Sequence, residues 1–522
     1  MSAVEPIPPM ASPRRWVLPL FFCLVAFAVF LEQTWPYWHQ GELLAGIHAD
    51  GPFHFYNEAA RLSPEYFPKD LAVQSNRDLG FYEYFYGSLN WLVNLTGASL
   101  LKTNLAVCWV GNFLYLGGVM VLLWRLKLSA WTCALGTLLA AQPFVLTGGM
   151  SSGVIHSLAI PREVWLWPMP WLVGWFIFGK RAKARLLIFY GLLGAVYGFT
   201  YPLWAALLGL AFGLVDAVRI VRQKNLPEVV WLFGAALLCV GLVSAPSLAT
   251  FRVVGGEESA VLDYNQITRS MYFSKGFRRL LLFSAAGLGA LWLRRRGKLN
   301  IDGPLSRLWW LLTVALLVCC VYEPFQRLWP TLSLVYPGRL SLVAYLASMV
   351  AVAAWLHHFF RAFPVWGKAA VMAGVLFVCI DPVRSLRREM LGRPLPAQTE
   401  FVEFSRLVKA RTGSDALALV EPAVGSHYFR VYAERGLWIN PKDLGVLSRT
   451  RSTYAIAQDR LQALKAFYEK TTPSTERESL LQRFRQEGVD YVITRADEDW
   501  PRSLSWPVVE QSGRWQLRSP QP

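Results

Sequence analysis

Long apolar stretches, separated by connections that are alternately rich and poor in Lys and Arg, fill the first 380 residues of this 522-residue chain. A helix needs about 20 mostly apolar residues to cross the hydrocarbon of a bilayer, and every backbone N–H and C=O inside it must be paired within the segment. About eleven stretches read as such spans: residues 16–34, 104–124, 130–147, 163–179, 186–201, 203–220, 228–250, 279–293, 305–323, 337–356 and 365–380. Two of them, 186–201 and 279–293, are short and fit a tilted pair or a re-entrant hairpin. Composition agrees: 54% of residues are hydrophobic, only 17% are charged, and the 23 Trp exceed soluble usage.

The basic residues give the stretches a direction. Arg14 and Arg15 precede the first, and Arg125 and Lys127 follow the second. Lys180, Arg181, Lys183 and Arg185 follow the fourth, and Arg219, Arg222 and Lys224 the sixth. Arg294, Arg295, Arg296 and Lys298 follow the eighth, and Arg361 and Lys368 the tenth. Lys and Arg resist translocation, so these connections are expected in the cytoplasm. The N-terminal tail 1–15 is then cytoplasmic, and the loop 35–103 and the C-terminal region lie outside. The net charge of +17 is thus a topology signal, and nucleic acid is not an expected partner. Ala26-Phe27-Ala28 has the form of a signal cleavage site, but the apolar run continues to Trp35 and reads as an anchored span. All seven Cys fall inside apolar stretches, which leaves neither a disulfide framework nor a Cys-based metal site outside.

Beyond Asp381-Pro382 the composition turns polar. Residues 381–397, with Arg384, Arg387, Arg388, Arg393, Pro394 and Pro396, read as a linker to a domain over 398–522. There Phe401, Phe404, Leu407 and Val408 repeat at helical spacing. Residues 416–420 and 437–440 read as strands, 453–469 as a helix, the surroundings of Leu480, Leu481 and Phe484 as another, and 490–494 as a strand. Residues 508–509 and 515–517 suit a closing hairpin. The expected architecture is an all-α polytopic membrane core, 16–380, with a small C-terminal α/β extracytoplasmic domain. No phosphate loop, His cluster or nucleophile motif occurs in that domain.

The outer loop 35–103 carries Asp50, Glu58, Asp70 and Glu83. Its residues 81–95 read as a helix with Glu83, Gly87, Asn90 and Asn94 on one stripe and aromatic residues around the rest. Such a helix belongs at the membrane interface. The spans themselves are nearly free of charge, with Asp216, Glu323 and Arg339 only near their ends. An ion-coupled transporter places titratable groups near the midplane. A lipid or sugar transporter is therefore disfavoured, and chemistry is expected at the outer surface.

The segment 46–58, Gly-Ile-His-Ala-Asp-Gly-Pro-Phe-His-Phe-Tyr-Asn-Glu, followed by Tyr66-Phe67-Pro68-Lys69-Asp70, resembles the first external loop of the GT-C superfamily. These are multi-span glycosyltransferases that use polyprenyl-phosphate-linked sugars. They include aminoarabinose transferases, protein mannosyltransferases and oligosaccharyltransferase subunits. In them an early Asp follows the first span, a helix lies on the membrane and a soluble domain often ends the chain. The resemblance implies a polyprenyl-phosphate-linked sugar donor and an acceptor that is a lipid, a glycan or a protein. It also implies a place in the cell inner (cytoplasmic) membrane.

Such a transfer needs a carboxylate to activate or orient the acceptor and cations to hold the departing phosphate. Asp50 is the leading candidate base, with Asp70 second. Asp50 also suits an Asx turn opening Gly51-Pro52, and Asp70 suits a turn cap or a pair with Lys69. Glu58 is a candidate substrate contact or a surface partner of Arg61 or Lys69. His48 and His54 flank Asp50 at short spacing, which is a weak metal or substrate signal. For the phosphate, Arg339 in Tyr336-Pro337-Gly338-Arg339 leads, at a point where the chain re-enters the membrane; plain snorkelling also accounts for it. Arg162, beside Glu163, and Arg269, in the long outer loop 252–279, follow. No Asp-x-Asp occurs in the outer loop 35–103; no cofactor is required, and a divalent metal is left open. The rival expectation is a non-catalytic membrane component of an envelope polysaccharide assembly system that docks through its C-terminal domain.

Overall fold

The computed structural model describes residues 14–40, 50–63, 65–78, 83–141, 144–146, 150–152, 164, 166–179, 183–198, 202–224, 226–253, 275–295, 303–328, 337–373, 396–422 and 426–520. Helix α1 (Arg14–Gln40) runs unbroken through the first apolar stretch. Three short helices follow in the outer loop: α2 (Asp50–Leu62), α3 (Leu71–Asp78) and α4 (Glu83–Thr96). The apolar region continues with α5 (Leu100–Arg125), α6 (Ala130–Ala141), α7 (Met169–Phe178), α8 (Lys183–Gly198), α9 (Pro202–Gln223) and α10 (Leu226–Val253). It ends with α11 (Lys275–Arg295), α12 (Pro304–Leu328), α13 (Ser341–Ala362) and a helical run over 365–373.

Each expected span overlaps a helix. Among the described residues, α5 and the Pro304–Tyr322 part of α12 are long and apolar enough to cross a bilayer. Shorter apolar runs cover Val17–Ala28, Ala130–Ala141, Met169–Phe178, Arg185–Ala195, Pro227–Leu242 and Ser341–His357. The stretch 130–147 is not one helix. It stops at Ala141, and β1 (Phe144–Leu146) pairs antiparallel with β2 (Met150–Ser152). Pro143 explains the stop, because proline supplies no N–H and biases the preceding residue away from the helix.

The helices expose apolar side chains as well as burying them. Val230, Phe233, Leu237 and Val240 of α10, with Val110, Phe113 and Leu114 of α5, all face outward. Exposed apolar side chains in such number mark a membrane or interaction face rather than a solvated one. Inside, α5 packs against α1, α6 and α7. Its Gly111 and Gly118, one heptad apart, let α7 and the turn before it come close. A β-carbon at Gly111 would overlap the Trp167 ring, and one at Gly118 would lie 2.6 Å from Trp171 Nε1. Small residues permit this close approach where lipid gives no hydrophobic drive between helices.

The C-terminal domain opens with α14 (Pro396–Arg411). It continues with β3 (Leu417–Leu419), α15 (His427–Tyr432), β4 (Gly436–Leu437), α16 (Leu444–Leu447), α17 (Arg451–Tyr468) and α18 (Ser474–Gln486). Strands β5 (Tyr491–Arg495), β6 (Val508–Ser512) and β7 (Trp515–Arg518) complete it. The sheet order is β4-β3-β5-β7-β6, with β3 parallel to β4 and β5, and β7 antiparallel to β5 and β6. The sheet separates two cores. Phe401, Phe404, Val408, Phe429 and Trp515 form one, and Trp438, Leu461, Leu464, Phe467 and Phe484 the other. The expected strand 437–440 is shorter, because Asn440 instead caps the 3-10 turn Pro441–Asp443.

The domain docks on the outer loop, α15 against α2 and α16 against α3. Val431 packs against two small apolar clusters, one of Leu101 and Leu105 and one of Tyr56, Ala60, Phe67 and Val73. Ala72 of α3 joins the core of the domain itself.

Candidate functional site

Asp50 is the first residue of α2, directly behind the first apolar helix. A carboxylate in the first turn suits the positive end of the helix dipole, and Pro52 suits a helix start. The Asp50 side chain lies outside the described residues, as do His48, Arg162 and Arg269. From Asp50, the backbone of α2 carries His54, Glu58 and Arg61 at i+4, i+8 and i+11, which is one helical stripe.

Two of them, His54 and Arg61, meet α4. His54 Nδ1 lies 2.7 Å from the Tyr86 hydroxyl, and the Arg61 guanidinium sits 4.8 Å over the centre of the Tyr86 ring. Glu58 is not at the surface: it is 2% exposed. Among the described residues neither of its carboxylate oxygens has a hydrogen-bond partner, and neither do Nε and Nη2 of Arg61. Burial raises the Glu58 carboxyl from its ordinary 4.5 to about 8, against the opposing pull of Arg61. A pairing with Lys69 is excluded, since Lys69 reaches Asp490 at 3.0 Å and Asp415 at 3.5 Å instead.

Asp70 has a different setting. It is fully buried, and both its oxygens are occupied. Oδ1 accepts from the Ala72 and Val73 amides at 3.1 and 3.2 Å, capping α3. Arg430 of α15 donates from Nη2 to Oδ1 at 3.0 Å and from Nε to Oδ2 at 2.7 Å, and the Leu437 amide donates to Oδ2 at 2.8 Å. So the expected cap is present, but the ion-pair partner is Arg430, not Lys69. Arg430 also donates from Nη1 and Nη2 to Asp443, both at 2.7 Å, and from Nη1 to the Tyr56 hydroxyl at 3.1 Å. All five guanidinium N–H groups are thereby used. Burial opposes charge on Arg430, but Asp443 and Asp70 outweigh it and push its pKa well above the guanidinium range. The backbone amides of Ala72, Val73, Leu437 and Asn440 also donate to the two buried carboxyl groups. Asp70 is thus a clamp between loop and domain, with no oxygen left to meet a substrate.

Arg339 lies on a 3-10 turn, Pro337–Leu340, packed against α9, α12 and α13. Helix α2 packs against α3, α4 and α15, so different elements hold the two halves of the expected site. Among the described residues no group of three or more His, Cys, Asp or Glu is placed to hold a metal ion.

Sequence reasoning missed Arg430, Asp443 and Tyr86. A signal for Arg430 existed: it interrupts Tyr428-Phe429 and Val431-Tyr432, and a cation inside an apolar helix must be paired.

No family model matches the chain, and no curated protein is significantly similar to it in sequence. Its fold does match solved structures. One is the crystal structure of the Archaeoglobus fulgidus oligosaccharyltransferase in complex with Zn and sulfate. The match has a TM-score of 0.50 and 11% sequence identity, and covers 92% of this chain and 68% of that one. At such identity the likeness shows the fold alone: over most of its length the chain is built like that archaeal protein.

Proposed function

We propose that the chain moves a sugar from a polyprenyl-phosphate-linked donor to a lipid, glycan or protein acceptor outside the cytoplasmic membrane. The observation that carries this reading is the GT-C-like fold over 92% of the chain, with a helix that opens on Asp50 directly behind the first apolar helix. In the reaction an acceptor X–H attacks the anomeric carbon, the bond from that carbon to the phosphate oxygen breaks, and the carrier leaves as polyprenyl phosphate. Asp50 takes or directs the acceptor proton. Cations including Arg339 hold the departing phosphate at headgroup depth.

The contact between α15 and α2 supports the same geometry. Loop and domain touch, so they share a side of the membrane, which requires an even number of crossings between them. The ten apolar stretches read after the loop meet that condition, and the basic alternation assigns that side to the exterior.

The test uses purified full-length protein in vesicles with a panel of labelled polyprenyl-phosphate sugars. Release of free carrier together with acceptor labelling is expected, and Asp50→Asn slows both by about 10²–10⁴ while melting like wild type. Unchanged transfer in Asp50→Asn removes the catalytic role of that residue. A chain that consumes no donor of the panel, yet remains necessary for envelope polysaccharide in cells, is the non-catalytic component instead.

A further inference from the structure

Buried polar atoms without partners are rare in folded proteins, yet several occur on α2, α3 and α4. Besides Glu58 Oε1 and Oε2 and Arg61 Nε and Nη2, the buried Asn76 Nδ2 of α3 and Asn90 Oδ1 of α4 lack partners among the described residues. The chemistry of the Arg61 pair is specific. Nε–H and one Nη2–H point the same way from one edge of a guanidinium, forming the fork that grips two oxygens of a phosphate or carboxylate. Glu58, three residues earlier on the same stripe, would normally fill that fork and does not.

We propose that Arg61 and Glu58 form a phosphate subsite on α2, and that its ligand is the phosphate of a lipid-linked carrier. The assignment rests on the glycosyltransferase reading and adds to it the residues that hold the carrier. Arg61 grips two phosphate oxygens, and Glu58, in its acid form, donates its O–H to a third. The upward shift of the Glu58 carboxyl to about 8 keeps that proton in place at neutral pH. The Arg61 guanidinium sits over the Tyr86 ring, and the Tyr86 hydroxyl is itself tied to His54. Two features favour a lipid-borne phosphate over a free one. Helix α4, which supplies Tyr86, exposes Trp91 by 62% and Leu95 by 65%, a pattern suited to headgroup depth. And Glu58 stands eight residues, or about 12 Å, along the helix from Asp50, a span that one sugar and its phosphate can bridge.

The experiment measures binding of a short polyprenyl phosphate, without sugar, to full-length protein in nanodiscs, with inorganic phosphate and phosphatidylglycerol as parallel probes. The wild type should bind the polyprenyl phosphate, with inorganic phosphate competing more weakly. Arg61→Gln should weaken carrier binding about tenfold or more, because one charged two-point contact is lost. Glu58→Gln should bind within about threefold of wild type, since its amide N–H replaces the acid O–H. Equal binding by Arg61→Gln and wild type overturns the proposal, as does binding of inorganic phosphate alone. Binding lost in Glu58→Gln but kept in Arg61→Gln also overturns it. Should Arg61→Gln not fold, reaction of wild-type Arg61 with phenylglyoxal decides: protection by polyprenyl phosphate is expected, and its absence sinks the idea. Carrier binding with no transfer of any sugar would instead strike the glycosyltransferase reading and leave the subsite standing.

Discussion

Arg430 grips Asp70 across 360 residues of sequence through contacts of 2.7 and 3.0 Å, with neither side chain more than 1% exposed. Removing the cation leaves Asp70 and Asp443 buried with no counter-charge. Arg430→Ala should therefore destabilise the protein by roughly 3–5 kcal/mol. Tyr56→Phe, which loses one hydrogen bond and keeps the ring beneath Arg430, should cost only about 1 kcal/mol. Thermal unfolding followed by tryptophan fluorescence checks both; an Arg430→Ala protein that melts like wild type would contradict the clamp.

Asp50 and Asp70 should separate cleanly. Asp50→Asn is expected to lose about 10²–10⁴ in transfer rate with an unchanged melting curve. Asp70→Asn should lower the melting temperature and free the C-terminal domain to limited proteolysis. If both variants lose only activity, Asp70 has a chemical role that its saturated oxygens do not suggest.

Glu58 gives the stability a pH dependence of definite sign. Its carboxyl is raised from 4.5 to about 8 in the folded chain, so the native state holds a proton that the unfolded chain releases. Stability from this group is full below about pH 4.5, falls through the interval, and levels off above about 8. Glu58→Gln removes this contribution and leaves the polar neighbours His54, Arg61 and Tyr86 in place. The check is the wild-type-minus-variant difference in melting temperature from pH 5 to 9; a flat difference would mean that Glu58 is solvated.

The approach of α7 to α5 predicts a steric outcome. Gly111→Ala places a methyl where the Trp167 ring lies, so overpacking should cost about 1–3 kcal/mol. Gly117, whose β-carbon would stand 3.8 Å from Trp171, should accept Ala with little change. Melting temperatures of the two detergent-solubilised variants make the comparison.

Local signals carried most of the secondary structure. Periodicity found the helices around Phe401, Thr453 and Leu480 and the hairpin of Val508 and Trp515, because each is recorded within a dozen residues. The helix over 81–95 was also legible, but not its seat: Phe85, Tyr86 and Leu89 are buried against the core, and Trp91 and Leu95 face out. Tertiary partners were not legible. Nothing near Asp70 in sequence names Arg430, and nothing near Glu58 shows that Lys69 is engaged elsewhere. The end of helix α6 at Ala141 was readable from Pro143, but the apolar residues beyond it masked the break.

The clamp also fixes an order of events during synthesis. Asp70 leaves the ribosome about 360 residues before its counter-ion, which at ordinary elongation rates is a wait of roughly 20–70 s. Throughout that interval the loop carries a carboxylate that its final fold cannot tolerate unpaired, while helix after helix is inserted behind it. The domain that carries Arg430 is the one that closes the outer loop. A ribosome that stops before Arg430 therefore leaves Asp70 without its counter-ion, and the outer loop is latched only once the domain that carries Arg430 has folded onto it.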